Sequence, residues 1–175
     1  SDFIRTTQER HKKKVQQYIL DLQNTDDIYL GEYEGWYDTG QEEYVPDTKA
    51  KDYNYISPIN KKPLVRKKEK NYFFRLSRYQ KDLLDLLEGS EVKGQSFKVL
   101  PQERCNEVLG RINEGLNDVP ISRAAAEDLG IPIPGDSRHT VYVWIDALFN
   151  YLSVVDMEDR LKYWPADVHL IAKDI

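Results

Sequence analysis

The residues between positions 142 and 151 carry the most chemical information in the chain. Trp144, Ala147, Leu148 and Tyr151 follow an i, i+3, i+4, i+7 pattern, which places them on one face of a helix, and Tyr142 comes shortly before them. Aromatic and apolar side chains on one face can either line a pocket or form part of a core. The periodicity alone favours a core stripe, because apolar helical stripes usually mark burial.

A second candidate position lies at the end of the sequence. Asp174 follows residues 168–172, an apolar run that predicts a short strand. Ligands of α/β sheets sit beyond the carboxyl ends of strands, so an acid here suits a contact with a nucleotide. A strand-end acid in a turn is the structural alternative, and the sequence supports both equally. We interpret His169 as a hydrogen-bonded structural residue and find no pattern at the other two histidines, His11 and His139.

The third candidate is the only local concentration of positive charge large enough to suggest phosphate contacts. Its members are Lys61, Lys62, Arg66, Lys67, Lys68 and Lys70. Such a cluster can contact phosphates. Lysines on an exposed strand also protect a sheet edge against aggregation, and this is the favoured interpretation. No aromatic residue is interleaved among them, which argues against a platform on which bases of a single strand stack.

Composition limits the classes of function. The chain has 175 residues, with 25 Lys and Arg against 30 Asp and Glu, so its net charge of −5 excludes a global positive field toward nucleic acid. The single cysteine, Cys105, excludes an intramolecular disulfide and a zinc site built from cysteines, and favours a reducing compartment. No apolar run approaches the roughly 20 residues of a membrane span. We expect an intracellular protein, cytoplasmic rather than mitochondrial, and an internal fragment of a longer chain.

The elements that must position these residues follow from hydrophobic periodicity. In the first half, residues 7–24 predict an amphipathic helix with a capping box formed by Thr6 and Glu9. The β-prone stretches are 28–37, 42–45 and 64–76, with a loop over 46–62. Together they indicate a small antiparallel β-rich module.

The second half predicts alternating helices and strands. One helix begins at a Ser77 cap and ends at residue 88, and another begins at Pro101, with Cys105 as a core residue. Strands are expected over 119–123, 140–145 and 168–172, with a rigid extended segment over 130–135 and a helix over 146–152. Strand, helix and strand in this order suit a parallel βαβ unit. The fold class is therefore α/β.

Six ordered segments resemble the methionyl-tRNA synthetases, a class I aminoacyl-tRNA synthetase family. They are Gly31–Tyr37, Asn71–Ser77, Ile121–Arg123, Gly130–Asp136, Val141–Ala147 with Tyr151, and His169–Ile175. The resemblance extends from Phe3 to Ile175 and implies part of a Rossmann-like catalytic domain with an inserted α+β connective peptide. The implied divisions are a helical segment at 1–27, a β-rich connective module at 28–76, a helical return at 77–118, and at 119–175 strands and helices that bear the amino-acid pocket.

The resemblance also implies roles for the candidate residues. Trp144, Ala147, Leu148 and Tyr151 would line the pocket for the methionine side chain, with Tyr142 close by. The chemistry agrees, because aromatic rings contact a polarisable thioether favourably and a Tyr hydroxyl donates weakly to sulfur.

On the nucleotide side, Asp174 would lie near the ribose. Ala172 replaces a glycine of the family and would restrict the approach of the backbone to the adenosine. The basic cluster lies in the connective module, which in this family is near the acceptor end of the tRNA.

The function implied is that of a methionine–tRNA ligase. Its substrates are L-methionine, ATP with Mg²⁺, and tRNA(Met). The two signature loops of the family that hold the ATP phosphates are absent from this sequence, so we expect the chain alone to be inactive. A non-catalytic tRNA-binding or adaptor module with the same architecture is the alternative.

Two departures from the family bear on metals and on the pocket. Relatives often have a Cys-x-x-Cys knuckle after Gly-Trp-Tyr, whereas here Asp38 and Thr39 follow, so we expect no zinc. Asp38, with nearby acids at 42, 43 and 47, lacks the alternation of a calcium loop and is interpreted as a solvated turn. Asp128 and Leu129 precede Gly130 where many relatives have Trp, which leaves the contribution of that loop open.

Overall fold

The computed structural model of the chain describes residues 2–41, 43–125, 130–157 and 159–171. The α-helices are α1 (Glu9–Asn24), α2 (Asp47–Asp52), α3 (Gln80–Leu87), α4 (Gln102–Asn113), α5 (Val143–Leu148) and α6 (Asn150–Ser153). The strands are β1 (Ile28–Asp38), β2 (Glu43–Val45), β3 (Val65–Phe74), β4 (Val119–Pro120), β5 (Ser122–Ala124), β6 (Pro132–Ile133) and β7 (Asp136–Val141). The chain divides into a central unit, Ile28–Pro120, and a terminal unit made of Ser1–Asp27 with Ile121–Ile175.

Helix α1 is amphipathic, as its spacing predicts. Val15 and Ile19 are fully buried, and so is His11 one turn earlier. The helix begins later than expected, with Gln8 at the cap position and no side-chain hydrogen bond there. The predicted capping box is wrong, because Thr6 lies two positions outside the cap. Among the described residues no helix is long and apolar enough to cross a membrane.

The terminal unit contains a three-stranded antiparallel sheet in the order β5-β7-β6. Pro134 and Gly135 occupy the two positions between β6 and β7, and Gly135 has a φ of +82°. Proline followed by a glycine with positive φ is typical of a type II turn. The segment predicted over 130–135 is non-helical as expected, but it is extended only as far as Ile133, because Pro134 and Gly135 form the turn.

The strand predicted over 140–145 is wrong beyond Val141. The carbonyl of Tyr142 accepts hydrogen bonds from the backbone N–H groups of Ile145 and Asp146, at 2.9 and 3.0 Å. These bonds close a helical turn, so α5 begins at Val143 and the predicted helix is divided into α5 and α6. Periodicity does not distinguish strand from helix in an apolar run this short.

The strand predicted over 168–172 is absent from its described part, 168–171. Val168 and Leu170 expose 80% and 84% of their surfaces. All strand pairs among the described residues are antiparallel, so the predicted parallel βαβ unit is not formed there. A parallel strand is stable only beside another strand, and the part of the chain that the structure describes supplies none at this position.

The central unit contains a four-stranded sheet in the order β2-β1-β3-β4. Strands β1 and β3 are antiparallel and remain in register from Ile28 opposite Phe74 to Tyr37 opposite Val65. Strand β2 pairs with the end of β1. The strands predicted for this part of the chain are confirmed, because alternation and turn residues are local features of the sequence.

A buried carboxylate joins two loops of the central unit. Asp38 is 4% exposed and accepts hydrogen bonds from the N–H groups of Gly40 and Gln41, at 2.9 and 3.2 Å, and from the Asn60 amide at 2.7 Å. The Ser57 hydroxyl is the strongest of the donors that hold the pKa of Asp38 below its ordinary value, against the effect of burial. The solvated turn predicted at Asp38 is wrong, because these donors converge on it and exclude water.

Helix α2 lies within residues 46–62, where the sequence predicts a loop. Pro46 occupies its cap position, and Ala50 is fully buried. The buried cluster around it consists of Val45, Ala50 and Leu64, with Trp36 packed against them. Tertiary burial of one alanine therefore stabilises a six-residue helix that has no amphipathic pattern long enough to recognise.

The two longer helices of the central unit differ in how they begin. Helix α4 follows Pro101 directly and buries Cys105, as predicted. A 3₁₀ turn at Leu76–Tyr79 precedes α3, so Ser77 does not cap that helix. The Ser77 hydroxyl instead donates to Asp118 at 2.6 Å, which lowers the pKa of that carboxyl.

The strand predicted over 119–123 is divided between the two units. Val119 and Pro120 form β4, which pairs with β3 in the central unit. Ser122 begins β5, which pairs with β7 in the terminal unit. The residue between the two strands, Ile121, is 3% exposed.

Candidate functional site

The residues predicted to form an apolar pocket lie on α5 and α6 of the terminal unit. Ala147 and Leu148 lie one turn after Trp144 on α5, and Tyr151 is on α6. Trp144 and Leu148 each expose 52% of their surface, while Ala147 and Tyr151 are half-buried. Burial in the core of this chain therefore does not explain the apolar spacing. The segment presents an open apolar surface that a small apolar group can cover.

A positive charge lies at the beginning of this segment. The Arg123 guanidinium is 4.9 Å from the centre of the Tyr142 ring, and Tyr142 occupies the cap position of α5. This cation–π contact leaves the exposed guanidinium close to the apolar surface. A guanidinium can bind a carboxylate or a phosphate through two hydrogen bonds. No pattern in the sequence gives Arg123 a role in the pocket, because only the pairing of β5 with β7 brings it to this position.

Tyr151 contacts a residue from the far end of the chain. Its ring centre is 4.1 Å from that of His169, and the rings meet at an interplanar angle of 66°. The sequence predicts a structural role for His169, and in the structure its ring meets Tyr151 edge-on. The imidazole restricts the positions available to the Tyr151 ring.

A buried histidine connects α1 to both α5 and α6. His11 is fully buried; its Nε2 is 2.6 Å from Asp146 Oδ1 and its Nδ1 is 2.7 Å from Ser153 Oγ. The sequence gives no functional signal at His11. His11 precedes Val15 by four residues, so it extends the buried stripe of α1 by one turn. That position was the available indication that His11 faces the interior.

A cavity of about 230 Å³ lies beside α6. Its lining consists of Tyr18, Leu152, Val155, Asp156, Leu161 and Trp164. Burial raises the pKa of Asp156, but hydrogen bonds from Lys14 and Tyr18 outweigh that effect and leave the pKa below its ordinary value. Burial also raises the pKa of the Tyr18 hydroxyl, which donates to Asp156 at 2.8 Å. None of the predicted pocket residues lines this cavity.

The two positions predicted on the nucleotide side, Ala172 and Asp174, lie outside the described residues. Their predicted contacts with adenosine and ribose therefore stay predictions. The nearest described residue, Ile171, is 63% exposed.

The basic cluster lies on β3 and in the turn before it, with Lys61 and Lys62 in the turn and Lys70 on the strand. Carboxylates pair with members of the cluster: Arg66 with Glu34 at 2.9 Å, Lys67 with Glu69 at 3.2 Å, and Lys68 with Glu32 at 2.9 Å. Lys61 donates to the Pro58 carbonyl at 2.7 Å. Paired charges attract a phosphate less strongly than unpaired ones, and the predicted contact with tRNA stays a prediction.

The chain is similar in sequence to synthetases over nearly its whole length. The family model described as tRNA synthetases class I (M) matches residues 1–54 and 50–175. The methionine–tRNA ligase of Halalkalibacterium halodurans is 41% identical over 99% of this chain, and that of Streptomyces coelicolor is 42% identical over 99%. The chain covers 28% of the first relative and 33% of the second, so it spans about a third of their length.

The fold is also shared with solved synthetases. A crystal structure of Mycobacterium tuberculosis methionyl-tRNA synthetase bound by methionyl-adenylate matches 97% of this chain with a TM-score of 0.72 and 32% identity, and 34% of that protein is covered. A second structure of the same protein with methionyl-adenylate matches 99% of the chain with a TM-score of 0.75. The predicted α/β class, as part of a class I synthetase domain, is confirmed. Since the family match extends over essentially the entire chain, this chain belongs to the class I tRNA synthetases of the methionine type.

Proposed function

We propose that this chain is part of a methionine–tRNA ligase, which joins L-methionine to tRNA(Met) at the expense of ATP. The observation that carries the proposal is the identity of 41% and 42%, each over 99% of the chain, to two proteins of that name. The half-exposed aromatic surface on α5 and α6 supports it, because such a surface suits the side chain of methionine.

The proposed reaction has two steps. A carboxylate oxygen of methionine attacks the α-phosphorus of ATP, the bond to the β-phosphate oxygen breaks, and pyrophosphate leaves. A hydroxyl of the terminal ribose of the tRNA then attacks the carbonyl carbon of methionyl-adenylate, and AMP leaves with the bonding electron pair. Both steps depend on alignment of the reacting groups, to which the binding residues contribute by holding the substrate.

The side chain of methionine would contact Trp144, Ala147, Leu148 and Tyr151, with Tyr142 at the edge of the site. Trp144 supplies the largest apolar wall, and its π-face suits a polarisable sulfur atom. The Tyr151 hydroxyl supplies a weak donor to the thioether. Arg123 lies beside Tyr142 and could pair with a carboxylate or phosphate of the bound substrates.

The nucleotide would lie toward Asp174 and Ala172, with Mg²⁺ bound to the ATP phosphates. Among the described residues no three His, Cys, Asp or Glu side chains come together in a way that could hold a metal ion. We also propose that the enzyme needs no zinc in its central unit, because that unit has only one cysteine, Cys105. Zinc at one equivalent in the purified full-length protein, with loss of fold on chelation, would contradict this.

The function is tested in the full-length protein that contains this chain. Exchange of radioactive pyrophosphate into ATP, dependent on methionine and not on other amino acids, is the expected result. Charging of tRNA(Met) should follow in the same preparation. A folded full-length protein that binds tRNA but gives no exchange would instead support the alternative, a non-catalytic tRNA-binding or adaptor module.

The basic cluster is tested separately by the second half-reaction. Replacing its six residues with Gln should leave methionyl-adenylate formation unchanged, because that step uses only small molecules. If the cluster contacts the acceptor stem, transfer to tRNA slows and its dependence on salt becomes shallower. If neither half-reaction changes at low salt, the cluster serves only to protect a sheet edge.

A further inference from the structure

The polar contacts of His11 use both nitrogens of its ring. An ionised Asp146 can only accept, so the His11 Nε2 carries the hydrogen of the 2.6 Å contact. The Nδ1 of the same ring then accepts from the Ser153 hydroxyl at 2.7 Å. The alternative acceptor for that hydroxyl, the carbonyl of Asn150, is farther away at 3.4 Å. Both nitrogens of the buried ring therefore have a hydrogen-bond partner.

The two partners of His11 lie on either side of a break in the helix. Asp146 belongs to α5 and Ser153 to α6, and Phe149 lies between the two helices. A single imidazole therefore joins both helices across their junction. The Phe149 ring also contacts Tyr18 of α1, with ring centres 5.2 Å apart. Helix α1 thus holds this junction at two points on one of its faces.

Helices α5 and α6 are too short to keep their position without tertiary contacts. They contain six and four residues, too few to be stable as isolated helices. No residue of α5 is buried, and Ser153 is the buried residue of α6. The relative positions of Trp144 and Tyr151, one on each helix, consequently depend on what holds the junction.

We propose that His11 is a positioning residue for methionine: through Asp146 and Ser153 it fixes α5 against α6 and so sets the shape of the surface formed by Trp144 and Tyr151. The methionine part of this inference rests on the proposed function. The positioning part concerns the geometry of α5 and α6 and stands apart from any activity. His11 contacts no substrate in this scheme, and its effect reaches the substrate through other residues.

The kinetic test compares His11→Ala with His11→Gln in the full-length protein. Gln places an amide donor near the position of Nε2 and keeps the bond to Asp146. We expect His11→Ala to raise the KM for methionine in pyrophosphate exchange by about tenfold or more, with the KM for ATP changed by less than about twofold. His11→Gln should recover most of the loss. Equal increases in both KM values, or no recovery, would overturn the positioning role.

A matched control is His139→Ala. His139 is also a largely buried histidine, and its Nδ1 is 2.9 Å from Asp136 on the same strand, β7. Its loss should lower the melting temperature without a selective change in the KM for methionine. If His139→Ala and His11→Ala have the same kinetic effect, general destabilisation explains both and the proposal is wrong.

A spectroscopic readout decides the positioning part even if the protein has no exchange activity. The full-length protein labelled with 5-fluorotryptophan gives fluorine resonances, of which those of Trp144 and Trp36 are assigned with Trp144→Phe and Trp36→Phe. His11→Ala should shift or broaden the Trp144 resonance and leave that of Trp36 unchanged. An unchanged Trp144 resonance would contradict the proposal. Absence of exchange in the wild type with a shifted Trp144 resonance would refute the proposed function and retain the positioning role.

Discussion

The central unit and the terminal unit are each stabilised by their own internal contacts, and these differ in the sequence separation of the residues they join. In the central unit, the pairing of β1 with β3 and the bonds to Asp38 join residues of one continuous stretch of chain. In the terminal unit, His11 meets Ser153, which is 142 residues away in sequence. Closing so long a loop has an entropic cost that must be offset by burial and satisfied polar contacts. The terminal unit therefore depends on a few contacts that no local pattern specifies.

The two units also differ in what they leave exposed. In the central unit Trp36 packs against Tyr55, with ring centres 4.6 Å apart, and the Arg66 guanidinium lies 5.3 Å from the Trp36 ring centre. In the terminal unit Trp144 leaves 52% of its surface open. A tryptophan that packs against other side chains of the protein contributes to its stability. A tryptophan exposed in an apolar surface is available to a ligand.

Replacing each of these two tryptophans with alanine, in separate variants, tests this difference between the units. We expect these substitutions to have the largest effects on activity and stability. In the full-length protein, Trp144→Ala should reduce kcat/KM for methionine by about 100-fold, equivalent to roughly 3 kcal/mol, because it removes the main apolar wall of the site. Trp36→Ala should lower the free energy of unfolding by about 2 kcal/mol and change methionine kinetics little at a temperature where it is folded. Pyrophosphate exchange and thermal unfolding measure the two effects. Unchanged exchange in a folded Trp144→Ala protein would mean that the pocket assignment is wrong.

A pair of glycines within the central unit tests how tightly its aromatic contacts are packed. A Cβ atom on Gly31 would lie 2.8 Å from a ring carbon of Phe73 and 3.1 Å from the Tyr29 ring, whereas a Cβ on Gly110, inside α4, would meet nothing within 4 Å. Gly31→Ala should therefore destabilise the protein by about 1–2 kcal/mol, because the buried Phe73 ring must shift.

The matched control, Gly110→Ala, should stabilise it by about 0.5–1 kcal/mol, because alanine favours an exposed helix interior. Chemical denaturation of both variants measures the two values. A destabilising Gly110→Ala, or a neutral Gly31→Ala, would show that the packing around these positions differs from that described.

The Asp38 network should make the stability of the central unit depend on acidity. The pKa of Asp38 in the folded protein is below its ordinary value of 3.8, so its contribution is fully present above that pH and is lost as the pH falls through the folded-state value. Asp38→Asn should thus lower the melting temperature at pH 7 and have a smaller effect near pH 3. Unfolding of both proteins monitored across this pH range measures the difference. A difference that stays constant with pH would exclude ionised Asp38 as the stabilising species.

The smallest effect is expected at Tyr151. Tyr151→Phe keeps the ring against His169 and removes only a weak donor to sulfur, so methionine use should weaken by roughly 0.5–1 kcal/mol, a change of about two- to fivefold in kcat/KM. Steady-state exchange kinetics at saturating ATP measure it. A loss as large as that of Trp144→Ala would assign the hydroxyl a role beyond contact with the thioether.

The spacing of residues in the sequence was sufficient to predict those helices and strands that have a recognisable pattern of their own. The buried stripe of α1, the alternating strands β1 and β3, and the proline at the start of α4 each have a period or a terminal residue that only one type of element satisfies. The six ordered segments were likewise sufficient to indicate the family. These features are properties of neighbouring residues, so they can be predicted without knowledge of what each element packs against.

Only the tertiary structure decided the features that depend on distant partners. The apolar run around Val141 suits a strand or a helix equally, and the bonds to the Tyr142 carbonyl choose where one ends and the other begins. Local patterns assign Asp38 to solvent, and they place His11 on the buried stripe of α1 without indicating its partners. Their burial is possible because donors and acceptors from remote segments satisfy them, and the free energy of such contacts exists only once the chain has closed around them.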